Sequence, residues 1–166
     1  MNAPGDAAKR AEGSRVALEA LGRGLTGLHR SLVERARRDF EREQHAVFGA
    51  GELLRLLTTD PHFAWLRSLS ELIVDLDVFL EIAPGPGDDD AAAIRAEVER
   101  LIAPAAGAEG SLGERYREYV LDDPQVAIAH AEVRQALLRL PDPRDVDEAA
   151  VLHARHQFRE ASRHHS

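Results

Sequence analysis

Between Leu18 and Phe40 the apolar positions fall at alternating three- and four-residue steps: Leu18, Leu21, Leu25, Leu28, Leu32, Ala36 and Phe40. This is the stripe of an amphipathic α-helix, and Arg30, Glu34, Arg37, Arg38 and Glu41 are available for its wet side. Ser14 is the predicted N-cap, which leaves residues 1–13, small and polar, as a flexible leader. The helix is expected to reach Phe48, with Gly49 closing it and Gly51 allowing the chain to reverse. A short Leu-rich helix follows over 52–59. Thr59-Asp60-Pro61 then reads as a start signal, because Asp60 can accept backbone N–H bonds while Pro61 occupies N1, where a missing N–H is harmless. Behind it Leu66, Leu69, Leu72, Ile73, Leu76, Phe79 and Leu80 form a second buried stripe opposite Arg67, Glu71 and Asp75, ended by Pro84-Gly85-Pro86-Gly87.

The pattern continues to the end of the chain. Asp88-Asp89-Asp90 places negative charge at the start of a helix over 91–103, with Ile94, Val98, Leu101 and Ile102 inward. Residues 104–110 read as a loop, and Ser111 as the cap of a segment carrying Tyr116, Tyr119 and Val120. Asp123-Pro124 opens a separate helix instead of kinking one long helix, since the residue before proline resists the α conformation. Val126, His130, Val133, Leu137 and Leu140 share its stripe. After Asp142-Pro143, residues 145–162 carry a thin apolar face of Val146, Ala149, Ala150, Leu152 and Phe158.

No period-two alternation and no Asn-Gly or Asp-Gly hairpin signal occurs, so the fold class is all-α: an up-down bundle of four to six helices. The short connection between the first two long helices makes them antiparallel neighbours. The domain reading is a leader (1–13), a bundle (14–140) and a C-terminal helix (141–166) left to pack on the body, pair with a partner or stay loosely attached.

Composition narrows the chemistry. The chain has 166 residues, net charge −8 and no cysteine. Disulfides, thiolate metal sites and cysteine nucleophiles are thereby impossible, and the acidic balance argues against nucleic-acid partners. No apolar run is long enough for a membrane span, and no signal peptide is visible, so the expected location is cytoplasmic. Lys9 is the one lysine among 21 basic residues, an arginine bias that suggests a GC-rich bacterial genome. Neither GxxxxGK[ST] nor GxSxG is present, and no catalytic residue is assigned.

The eight histidines carry the remaining chemistry. His29, His62 and His130 look inward. If the first two long helices are antiparallel, positions summing to about 100–106 lie level under equal rise, which sets His45 near His62 and His29 near Asp77. Inward histidines and carboxylates could hold iron, zinc or haem in a bundle. His153 and His156, with Glu160 one turn on, form a second metal-ligand candidate. The Glu-x-x-His spacing of di-iron bundles is missing, and partly buried histidines paired with single carboxylates account for the pattern better than a metal or cofactor does. The cluster Phe63, Trp65 and Leu66 reads as core packing at the bundle end, because Leu69 and Leu72 continue the stripe of Trp65, with a binding surface as the alternative, to which Phe63 belongs if exposed, and a pocket for a small apolar ligand near Trp65 as a further reading.

The segment Gly51 to Asp77, GELLRLLTTDPHFAWLRSLSELIVDLD, resembles a family of small uncharacterised bacterial α-helical proteins with an Asp-Pro-x-Phe-Ala-Trp-Leu-Arg core. The resemblance implies that this helix is the signature element, with Asp60, Pro61, Phe63, Trp65 and Arg67 as the matched positions. It implies no activity. The expected function is non-enzymatic and works through contacts with a protein partner or in a homo-oligomer, with Phe63, Trp65 and Arg67 as interface candidates.

Overall fold

The computed structural model describes residues 4–83, 85–103 and 112–163, and every regular element among them is helical. In chain order these are α1 (Pro4–Gln44), α2 (Ala50–Thr59), α3 (Arg67–Ile82), α4 (Asp88–Leu101), α5 (Gly113–Asp122), α6 (Pro124–Leu137) and α7 (Glu148–Arg163), with 3-10 turns at Pro61–Leu66 and Pro143–Asp145. The predicted loop over 104–110, the Ser111 cap, Pro84, the Leu152 side chain and His164-His165 lie outside what is described.

α1 is the spine. All seven apolar positions of its predicted stripe are buried. At about 1.5 Å per residue its 41 residues extend roughly 60 Å. It begins ten residues before the predicted start, so Ser14 is no cap: its hydroxyl donates to Asp88 Oδ1 at 3.2 Å, tying α1 to the head of α4. α1 ends four residues early because His45 turns into the left-handed region (φ 53), the conformation that commonly terminates helices.

α3 and α6 both lie antiparallel to α1. For α3 this follows from contacts that run from Phe40–Phe63 (ring centroids 5.4 Å apart) back to Arg15, which donates to Leu80 O (2.8 Å) and Ala83 O (3.0 Å). Arg15 thus satisfies carbonyls that the end of α3 leaves open, and its charge suits that negative pole. On the α6 side, Gly24 lies against Val133: a Cβ there would sit 3.5 Å from Val133 Cγ2 and 3.7 Å from the Val133 Cα, ordinary contact that an alanine would also make. α6 starts at Asp123, as the Asp-Pro signal predicts, with its carboxylate accepting from Gln125 N (2.9 Å) and Val126 N (3.4 Å).

The Asp60-Pro61 start signal also holds, with Asp60 accepting from His62 N at 2.8 Å. The helix it opens is tighter than expected, however, running as a 3-10 turn to Leu66 before becoming α-helical. In a 3-10 turn side chains three apart eclipse. Phe63 and Leu66 accordingly enter the core together, while His62 and Trp65 stand in line on a neighbouring face. α7 packs on α3 and α4, where Phe158 is buried and meets the Phe79 ring at 5.7 Å. Among the described residues no helix is long and apolar enough to cross a membrane.

Candidate functional site

The densest polar constellation lies where α5 turns into α6 against α1. Arg35 bonds Asp39 (3.2 Å), reaches Asp123 (3.8 Å) and lies 4.9 Å from the centroid of the Tyr119 ring, while Arg38 binds Asp123 at 2.8 Å. Burial raises the Asp123 pKa, but the Gln125 and Val126 N–H groups and the two guanidinium groups outweigh it, leaving the carboxyl below its ordinary range. Burial and the hydrogen bond to Asp39 push Tyr119 well up, so the phenol keeps its proton. Trp65 meets Tyr119 edge-on at 5.7 Å. Each charge here is matched inside the chain and Asp123 caps α6, so the cluster locks a helix corner.

The histidines are placed singly. His29 Nε2 lies 2.9 Å from Ser70 Oγ, not beside Asp77 as predicted, and Ser70 Oγ is 3.3 Å from Leu66 O. Both contacts are filled when Nε2–H donates to Oγ and the hydroxyl donates on to Leu66 O. The level rule spans residues 71–77 for His29, and Ser70 falls just short of that range; the six-residue 3-10 turn accounts for about two residues of the offset, because it rises about 2.0 Å per residue against 1.5 Å in an α-helix. His130 Nδ1 lies 2.5 Å from Tyr116 Oη. Burial pushes Tyr116 up and His130 down, so the phenol donates to a neutral imidazole.

His62 packs its ring on Phe40 (4.9 Å), whereas His45 is exposed at the end of α1. Burial lowers the His62 pKa, helped by Arg115 and opposed by Glu43, Asp60 and Asp39. Asp77 is exposed beside Arg23 and Arg30 in an open groove between α1 and α3. His153 lies 3.0 Å from Gln157 Nε2 and His156 lies 3.5 Å from Glu160, both pairs on exposed α7 surface. Among the described residues no three His, Asp or Glu side chains converge on a point that could hold an ion. The predicted metal and haem candidates are thus dispersed.

Of the interface candidates, Phe63 is corrected: it is 1% exposed, in the core against Phe40 and His62. Trp65 is half-buried and its Nε1–H is enclosed without a partner, as is His62 Nε2. Arg67 is exposed. The most distinctive exposed feature is one the stripe analysis passed over. On the side of α6 opposite its core face Ile128 (56% exposed), Ala131 and Gln135 fall in line with Leu138 (66%), the residue that follows the helix. Its spacing of three, four and three was legible as helix periodicity. Beside it a groove of about 500 Å³, floored by Ala20, Gly24 and Ala136, separates α6 from α1 and is edged by Arg23, Glu132 and Arg139.

Comparison with known proteins returns no matching family model, no matching curated protein and no matching solved structure.

Proposed function

We propose that this protein is a non-enzymatic helical scaffold that acts through protein–protein contact, with the outer face of α6 as its working surface. The observation that supports this is the exposed line Ile128, Ala131 and Leu138 beside the α1–α6 groove. Ile128 and Leu138, with Ala131 and Gln135 between them and charges of both signs alongside, have the mixed composition of a recognition surface. The bacterial, cytoplasmic setting expected from the sequence belongs to this same reading, as does the proposed kinship of the Asp60–Arg67 segment with small bacterial helical proteins.

Co-purification of two differently tagged copies tests the reading. Wild-type copies are expected to co-elute, and the pair Ile128→Asp with Leu138→Asp to abolish co-elution at unchanged helicity and melting temperature. Co-elution that survives both aspartates overturns it, and so does a wild type that neither co-elutes with its own copy nor captures any protein that the aspartate pair fails to capture.

A further inference from the structure

We infer that the 3-10 turn Pro61–Leu66 is a proton-operated switch: charging of His62 relaxes the turn to α-helix and releases the His62 and Trp65 side chains to water. Two independent observations carry the inference. The turn is six residues long, and 3-10 runs beyond three or four residues are uncommon, because their hydrogen-bond geometry is poor. Its two in-line rings also hold enclosed nitrogens, His62 Nε2 and Trp65 Nε1, that are shut off from solvent and have no hydrogen-bond partner among the described residues. Tight winding and unmet hydrogen bonds both favour a second arrangement of the same segment.

Nothing in the local sequence requires the tight winding. Asp60 accepts from His62 N at 2.8 Å and Pro61 stands at N1, an arrangement that opens an α-helix equally well. α3 then follows without a break. Packing is what holds the turn. The His62 ring lies 4.9 Å from the Phe40 ring and 5.0 Å from that of Phe63, and the His62 carbonyl accepts from Arg115 on α5 at 3.0 Å. Trp65 meets Tyr119, also on α5, at 5.7 Å. Three residues make a full turn of 3-10 helix but only about 300° of α-helix, so relaxation parts His62 from Trp65 by about 60° and shortens the segment by about 3 Å. That motion breaks the line in which the two rings are packed and opens both nitrogens to water.

The trigger is the second proton on the ring. Neutral imidazole has one N–H to place, whereas the imidazolium donates from both nitrogens, and Nε2 has no acceptor in the packed turn. Charged groups face the ring from each neighbouring element: Asp39 and Glu43 from α1, Asp60 from the residue before the turn, and Arg115 from α5. The three carboxylates favour the charged ring, but burial, the largest influence, and Arg115 outweigh them. The pKa of His62 therefore lies below 6.5 in the packed turn and returns toward 6.5 once the ring reaches water. The relaxed turn binds the proton more tightly, so it gains on the packed turn as pH falls below 6.5.

Trp65 is the one tryptophan of the chain, so its emission and its single indole N–H resonance report on this turn alone. Between about pH 8 and about pH 5, the emission is expected to move to the red and the indole proton to lose its protection against solvent exchange, while far-UV circular dichroism keeps its amplitude. His62→Gln, which takes up no proton, is expected to lose the transition, and His130→Gln to keep it. Emission and exchange that stay constant in the wild type overturn the switch, as does a fall in intensity with neither a red shift nor faster exchange. A transition that persists in His62→Gln, or that coincides with loss of helicity, overturns it too. Should His62→Gln fail to fold, the His62 ring resonances of the wild type decide: a midpoint shared with the indole signal supports the switch, and separate midpoints overturn it.

Discussion

Asp123 shows how one residue serves two elements. It caps α6 through two backbone N–H groups and takes the guanidinium groups of Arg35 and Arg38 from α1. Asp123→Ala removes both contributions at a buried position and is expected to cost about 2–3 kcal/mol in chemical denaturation. Asp123→Asn keeps a capping acceptor and is expected to lose about 1 kcal/mol. Equal losses would show that the ion pairs, not the cap, dominate. The capping role was legible in the Asp-Pro dipeptide. The ion pairs were not, because residues 35, 38 and 123 meet only through the packing of α6 on α1.

The inward histidines share one sign. Burial comes first among the causes that lower His29, His62 and His130, with Arg115 adding to it at His62 and Arg134 at His130. The folded chain therefore holds them neutral, and below pH 6.5 the unfolded chain binds more protons. Their contribution to stability is complete above pH 6.5 and is lost as pH falls through the lowered folded values. Melting temperature is expected to drop progressively below pH 6.5, and His130→Gln to flatten that dependence. A melting temperature that rises on acidification over the same window would contradict the assignment.

At the scale of the helix, α1 carries more glycine than its length requires. A Cβ on Gly24 would make only ordinary contacts with Val133, and a Cβ on Gly27 would meet nothing within 4 Å. Gly27→Ala is expected to raise stability by about 1 kcal/mol, the helix-propensity gain, as read by urea unfolding. No gain would mean that the position serves a contact absent from the single chain. Helix existence was legible almost throughout, because each stripe repeats at 3.6-residue spacing over several turns. Helix ends were less so: Ser14 resembles a cap yet lies within α1, and the 3-10 turn after Pro61 left no mark in apolar spacing. That hidden turn moved the register by about two residues, part of the offset that sets Ser70 instead of Asp77 beside His29.

For the whole molecule, α1 is flanked by α3 and α6, with α7 closing over α3 and α4. The sequence pointed to the first pairing through the short connection but gave no sign of the second, whose partners lie about a hundred residues apart. Once α6 is placed, its core face is spent on α1 and its outer line of Ile128, Ala131 and Leu138 stands exposed. Of the interface candidates Phe63, Trp65 and Arg67, Phe63 is in the core, Trp65 is half-buried against Tyr119 and Arg67 is exposed.

Sedimentation velocity over a wide concentration series tests this account most directly, comparing wild type with the Ile128→Asp, Leu138→Asp pair. The account predicts a wild-type sedimentation coefficient that climbs from monomer toward dimer as concentration rises, and a variant that remains monomeric throughout. Superimposable series for the two proteins, whether monomeric or associated, would contradict it.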